Sequence, residues 1–259
     1  MISAAPPLPP GETGWTFYLG AHEVSWLAYE IGPLFVSHRR LTRRRALPRA
    51  KGRWALDSGG FSELRLHGRW LTTVEEYIEA TRRYTEEIGR LEWAASMDWM
   101  CDPSTLARTG LSIRAHQRRT VSNFLELRQR APDLPYTPVL QGWTRADYER
   151  CAGLYRIAGI DLTREPLVGV GSICGRQDTD ETQEIMWSLA EHGLRLHGFG
   201  VKSGGLARFA GALISADSMA WSYRARHDAP LPSCKHSHCT NCVHYAARWR
   251  ERLLHQVDL

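Results

Sequence analysis

The sequence predicts an α/β fold, a (β/α)8 barrel carrying a Cys/His-rich C-terminal extension, and three observations predict it. The chain has 259 residues, enough for one such barrel. Eight short β-rich runs recur along it with helix-patterned stretches between them, as parallel strands joined by crossover helices do. Three of the six cysteines then crowd into nine residues after the eighth run. Hydrophobic residues make up 43% and charged residues 24%, which provides a core of ordinary size and excludes disorder and coiled coil.

Residues 1–14 read as a Pro/Gly-rich arm without the basic and apolar regions of a signal peptide. No apolar run approaches the roughly 18 residues that span a bilayer, so a soluble cytoplasmic protein without membrane contact is expected. The strands are expected at 15–20 (WTFYLG), 34–37 (LFVS), 54–57 (WALD), 93–98 (WAASMD), 137–141 (TPVLQ), 167–171 (LVGVG), 194–200 (LRLHGFG) and 215–221 (SADSMAW). Between the third and fourth, Thr73 followed by Glu76 forms a capping box, and Gly89 marks the stop. Ser112 opens the next helix, which must end before Pro132. Thr144 with Asp147 opens another, 178–192 carries Ile185, Met186 and Leu189 on one face, and 245–254 closes the chain as a last helix. A doubly wound sheet is the rival. It needs a Gly-rich turn after its first strand, and AHEVSW is not one. The domain reading is an arm over 1–14, a barrel over 15–223 and a tail over 224–259.

Chemistry in a barrel sits at the C-terminal ends of the strands. Those ends present Asp57-Ser58-Gly59-Gly60-Phe61 after the third strand, Asp98 after the fourth and Gln141 after the fifth. Gly169 to Ser172 follows the sixth, Gly198 to Gly200 the seventh, and Asp217 lies in the eighth. One aspartate there is usually a turn former or a helix cap. Three at apolar strand ends, with a glutamine among them, converge on one rim.

The formal charge is +5, but the basic residues are more clustered than that suggests. Arg39, Arg40, Arg43, Arg44, Arg45, Arg49, Lys51 and Arg53 occur with no acid between them, and smaller groups stand at Arg114, Arg118 and Arg119 and at Arg248, Arg250 and Arg252. Such a run is either a solvated face or a surface that holds phosphates, with Arg39, Arg40, Arg43, Arg44 and Arg45 as the backbone-contacting set. In the tail, Cys234, Cys239 and Cys242 are spaced C-x4-C-x2-C among histidines, ligand spacing for a structural tetrahedral zinc. His236 is taken as the fourth ligand, ahead of His238, His244 and His255.

In order and spacing, DSGGF, a strand ending in MD, VLQG, VGVGS, HGFGV, an Asp-centred eighth strand and CxxC resemble the tRNA-guanine transglycosylase superfamily. Within it the chain looks closest to the short DpdA-like proteins of 7-deazaguanine modification in DNA. The resemblance implies a pentosyltransferase that exchanges guanine for a preQ0-like 7-deazaguanine through a covalent Asp–sugar intermediate. DNA is the expected partner, tRNA the alternative, accessory modification proteins are conceivable, and a glycosylase that only removes the base is the rival chemistry. Asp217 matches the nucleophile and Asp57 the proton-transfer partner. Asp98 matches the acceptor for the N1–H and amino group of a guanine-like ring. Gln141 and a backbone N–H of Gly169 or Gly171 would donate to its O6. Ser58 lies beside them, Phe61 matches the aromatic stacker, and His197 stands where the opposite face of the base is covered. That donor and acceptor set rejects adenine, which would leave the buried aspartate unpaired. The family's Cys3His zinc site falls on the same tail.

Overall fold

The strands are short and largely buried on both faces, because one face meets the helices and the other the barrel interior. The computed structural model describes residues 15–256, so the arm expected over 1–14 lies outside the described residues. The first half of the chain gives β1 (Thr16–Ala21), β2 (Leu34–Ser37), α1 (His38–Leu41), β3 (Trp54–Asp57), α2 (Gly60–His67), α3 (Val74–Glu87), β4 (Leu91–Ala95), α4 (Pro103–Thr109) and α5 (Ile113–Arg130). The second half gives β5 (Tyr136–Thr137), β6 (Val139–Leu140), α6 (Arg145–Ile157), β7 (Val168–Val170), α7 (Asp180–Glu191), β8 (Leu196–Gly198), α8 (Ser203–Phe209), β9 (Ser215–Ser218), α9 (Ala220–Arg224) and α10 (Val243–Gln256).

All strand pairings are parallel, in the order β5-β4-β3-β2-β1-β9-β8-β7-β6. Nine segments stand where eight strands are expected, and the reason is Pro138. It has no N–H to give to a ladder and divides the fifth strand into β5, which pairs with β4, and β6, which pairs with β7. Its carbonyl still accepts from Gly169 N–H at 2.9 Å, so the two ends of the sheet meet and the barrel closes. The eighth strand is also shorter than its apolar pattern suggests. It stops at Ser218, whose hydroxyl accepts the Ala220 N–H at 3.2 Å and starts α9 instead.

The helix starts follow the sequence closely. Thr73 and Thr144 each form a complete capping box, with Glu76 and Asp147, and Ser112 accepts from Ala115 N–H. Each such cap is worth about 1 kcal/mol. The barrel interior is filled by Tyr18, Phe35, Trp93 and Ala95, with Phe199 packed against them. Two larger apolar layers lie between strands and helices. Cys239, Cys242 and Tyr245 of the tail are buried in one of those layers beside Trp26 and Trp221, so the tail shares the barrel's core. No helix among the described residues is long and apolar enough to cross a membrane.

Candidate functional site

Side chains two apart on a strand share a face, and the register of the sheet decides which of them meet. Ser37 pairs with Asp57 across β2 and β3, while Tyr18 pairs with Asp217 and His197 with Ser215. The C-terminal rim thereby holds Asp57, Asp98, Gln141 and Asp217 around one cavity of about 1310 Å3. That exceeds the roughly 300–1,000 Å3 of a small-ligand pocket. A base with its sugar and neighbouring nucleotides has room there.

Asp57 ends β3, and the chain turns at once. Gly59 takes φ +84°, a left-handed conformation that a side chain would strain, and its N–H donates back to Asp57 Oδ1 at 3.1 Å. Burial pushes the Asp57 carboxyl above the usual range, the Ser37 hydroxyl and the Gly59 amide pull against it, and the Asp217 charge adds to the rise. Phe61, on the first turn of α2, is more than half exposed and stands on the cavity wall with the Arg65 guanidinium over its ring.

Asp98 sits on the loop after β4, which is tied to α5 by two hydrogen bonds. Asn123 donates to the Met97 carbonyl at 2.7 Å, and Trp99 N–H donates to Thr120 Oγ1 at 2.8 Å. Gln141 Nε2 donates to Asp98 Oδ2, and Ser58 Oγ donates to Oδ1 at 3.4 Å. Burial first and the Asp57 charge second push the Asp98 carboxyl up to about 7, against those two donors. Gln141 is in turn held by Ser172, whose hydroxyl donates to Gln141 Oε1 at 2.6 Å and accepts from Cys101 N–H at 2.7 Å. Ser172 has φ +61°, strained for a non-glycine residue, and strain of this kind is retained where surrounding bonds enforce it. Gly171 beside it admits no side chain, since a Cβ would lie 2.1 Å from Gln141 Nε2.

Asp217 lines the cavity and is buried. Its Oδ1 accepts from Gly200 N–H at 2.9 Å and lies 3.3 Å from His197 Nε2. Arg39, Arg40, Arg43 and Arg44 line the same cavity, are exposed, and form no ion pair among the described residues; Arg45 is exposed but does not line it. Lys202 adds a further cation.

The geometry corrects three sequence expectations. His197 does not reach the cavity and so does not cover the face of a base. It is fully buried, packed edge-on against Trp93 and Phe199 at 4.6 and 4.8 Å. The amides of Gly169 and Gly171 are not free to donate to a ligand, because they bond to the carbonyls of Pro138 at 2.9 Å and Leu140 at 3.0 Å. Ser58 is buried under Asp98 and does not face the cavity. Three participants escaped the sequence reading, Ser37, Lys202 and Ser215, and Ser172 entered it only as the end of a strand-end run, without its role of holding Gln141. Ser37 and Ser215 were legible in principle, being strand neighbours on the faces of Asp57 and Asp217, whereas Ser172 and Lys202 sit on loops with no periodic signal.

In the tail, the ligand atoms of Cys234, His236, Cys239 and Cys242 all lie within 4.8 Å of one another, so this group could hold a metal ion. Cys234 and Cys242 sulfurs are 3.6 Å apart, and His236 Nε2 is 3.1 Å from Cys239 Sγ. Tetrahedral zinc with Zn–S of about 2.3 Å places its ligands about 3.8 Å apart, so the four fit with small movement. Leu231 N–H donates to Cys239 Sγ at 3.4 Å, the outer-shell contact expected of a thiolate ligand. His238 and His244 are not in the group. The knuckle is fastened to the segment after Asp217, because Ser222 Oγ donates to the Thr240 carbonyl at 3.0 Å, and that segment is itself tied to β1 by Trp221 Nε1 donating to the Gly20 carbonyl at 2.8 Å.

No curated protein matches the chain. A family model described as DpdA, DeoxyPurine in DNA protein A, matches residues 14–259, which takes in the barrel, its rim of carboxylates and the Cys/His tail. The chain belongs to the DpdA family.

Proposed function

We propose that the protein exchanges guanine in DNA for a 7-deazaguanine base such as preQ0, with Asp217 as nucleophile and Asp57 as the proton carrier. The observation that carries this reading is the meeting of the Asp57 and Asp217 carboxylates and an Asp98–Gln141 pair in one cavity. Base exchange without hydrolysis needs a carboxylate that forms a bond to the anomeric carbon as the bond to the base breaks. The departing base needs a proton, and Asp57, whose carboxyl burial raises above the ordinary range, is the group placed to carry it. The incoming base returns a proton to Asp57 as its ring nitrogen displaces the Asp217 carboxylate, so protons and charges balance over the cycle.

A guanine-like ring entering between Asp98 and Gln141 replaces their mutual hydrogen bond with its own amino and O6 contacts. The backbone donor to O6 is Ser172, whose N–H bonds to no described residue, in place of the Gly169 and Gly171 amides expected from the sequence. Phe61 stacks on the ring. Arg39, Arg40, Arg43 and Arg44 hold the phosphates of a DNA strand, and the base must leave the helical stack at a cost of a few kcal/mol. Zinc on Cys234, His236, Cys239 and Cys242 would supply only structure, anchoring the segment that follows Asp217.

The test offers labelled guanine and labelled preQ0 to the full chain with DNA and tRNA in parallel. Label entering DNA supports the reading. Label entering tRNA alone moves the substrate to RNA, and free guanine released without label uptake makes the protein a base-removing glycosylase.

A further inference from the structure

The buried chain Ser215–His197–Asp217 has no part in base recognition. His197 is wholly enclosed, with Tyr18 and Phe35 joining Trp93 and Phe199 around its ring. Its two nitrogens nevertheless both have polar neighbours: Nδ1 lies 2.8 Å from Ser215 Oγ, and Nε2 lies 3.3 Å from Asp217 Oδ1. Burial pulls the imidazole below its ordinary range, with the Asp217 carboxylate opposing, so the ring is neutral and carries one N–H. A carboxylate oxygen can only accept, so that N–H must be on Nε2. Nδ1 is then an acceptor, and only the Ser215 hydroxyl is placed to donate to it. Asp217 therefore sets the tautomer, and the serine hydroxyl completes it by donating to Nδ1.

The consequence falls on Asp217. Oδ1 takes two donors, His197 Nε2–H and the Gly200 amide. Oδ2 bonds to no described group and is not enclosed, while the residue lines the cavity. We propose that His197, oriented by Ser215, is a positioning residue that pins Oδ1 together with the Gly200 amide and so makes Oδ2 the oxygen that attacks the sugar. This rests on Asp217 being the nucleophile. Oδ2 bonds to the anomeric carbon as the bond from that carbon to the base nitrogen breaks, its electron pair leaves with the base, and the Asp57 proton neutralises it. Oδ1 becomes the ester carbonyl with both donors in place. When the second base arrives, the same donors stabilise the carboxylate as it leaves, so they assist resolution of the intermediate more than its formation.

Two measurements on the full zinc-loaded chain test this. In a 15N-labelled sample at pH 7, long-range nitrogen–proton spectra should show His197, assigned by its loss in His197→Gln, as the neutral Nε2–H tautomer, and Ser215→Ala should disturb that state. An Nδ1–H tautomer or an imidazolium in the wild type overturns the proposal, whether or not the protein is active. In guanine exchange, Ser215→Ala and His197→Leu should lower kcat about 10- to 100-fold, the loss of one hydrogen bond to a charged group, with KM for the base within about twofold. More covalent DNA adduct should accumulate, and His197→Gln, whose amide can reach Oδ1, should recover at least about tenfold of the His197→Leu loss. Should His197→Leu fail to fold, Ser215→Ala decides the matter alone. Wild-type kcat in Ser215→Ala, or a glutamine variant no better than leucine, refutes the proposal. A wild type that exchanges no base in any nucleic acid refutes the functional reading instead, and the tautomer spectrum still decides the geometry.

Discussion

Replacing Asp98 with Asn separates what this carboxylate costs the fold from what it does for a base. Folded Asp98 keeps its proton until about pH 7, because burial and the Asp57 charge outweigh the Gln141 and Ser58 hydrogen bonds, whereas the ordinary carboxyl releases it near 3.8. Between those values the folded state binds more protons than the unfolded chain, so stability falls as pH rises. From pH 5 to 8 the fall would reach about 3 kcal/mol in a sealed site, at 1.36 kcal/mol per pH unit up to the folded pKa and little beyond it. Asp98 is only half-buried and lines an open cavity, so we take half of that, ~1.5 kcal/mol. Asn has no proton to lose; its one oxygen takes the place of Oδ2 and accepts from Gln141 Nε2, while its amide N–H donates to the Ser58 hydroxyl, which turns to accept. Urea unfolding of both proteins, with zinc present, should therefore show the advantage of Asp98→Asn growing by about 1.5 kcal/mol between pH 5 and 8. Stability curves that run parallel across that range would refute the reasoning. Asp57 and Asp98 titrate as a pair, so the Asp57→Asn/Asp98→Asn double variant should remove still more of the wild-type pH dependence. The same Asp98→Asn protein should bind guanine poorly, since an amide in that place meets the N1–H and amino donors with only one acceptor.

Asp57→Asn should slow single-turnover exchange by about 10²- to 10⁴-fold with DNA binding unchanged, and a rate within tenfold of wild type would remove Asp57 from the proton transfers. Elemental analysis should find one zinc per chain, lost in His236→Ala and kept in His238→Ala; the reverse pattern would move the fourth ligand. Chelation should lower the melting temperature, because Cys239 and Cys242 are buried beside Trp221 in the core that the tail shares with the barrel. Arg43→Gln with Arg44→Gln should weaken single-stranded DNA of every sequence alike and flatten the plot of log Kd against log salt by about 1.4, at ~0.7 per phosphate. Arg45→Gln, whose side chain lies off the cavity wall, should leave that slope in place, and an equal effect of Arg45 would show that the wall does not define the phosphate track.

What the sequence made legible follows from what is periodic or locally capped. Alternation of apolar strands and helices exposed the barrel, and Thr73, Ser112 and Thr144 marked helix starts that the structure reproduces with their hydrogen bonds. Pro138 was visible in the run but not its effect, because closing the ring requires each half of the strand to pair with a different neighbour. The rim was readable as a set of strand-end polar residues, yet the orientation of each was not. HGFGV gives no sign that His197 turns into the barrel, which depends on the aromatic side chains of β1, β2 and β4 that surround it. The glycines of VGVGS read as free amide donors, although ladder bonds to the neighbouring strand consume them. The Cys/His knuckle was the most local feature, four candidate ligands within nine residues, and the structure brings those four together in a group that could hold a metal ion.

Three carboxylates around one cavity would repel each other strongly if all were treated alike, and each is relieved in a different way. Asp98 is relieved by taking up a proton near neutrality, and in its ionised form by the Gln141 amide, which must release it when a base enters. Asp57 keeps its proton higher than an ordinary carboxyl but has donors from Ser37 and Gly59 that accept its charge once the proton has gone. Asp217 has an N–H from Gly200 and a buried neutral histidine, both on one oxygen, which leaves the other free. Divergent environments for like groups are what let one site hold an acid, a hydrogen-bond acceptor and a nucleophile at the same pH. The arrangement also explains why so much of the surrounding fold is committed to holding loops still. The strained Ser172, the Asn123 and Thr120 ties on the Asp98 loop and the tail fastened behind Asp217 each hold a loop or segment beside one of these carboxylates, so loosening any of them would disturb the hydrogen bonds that set it apart from the others.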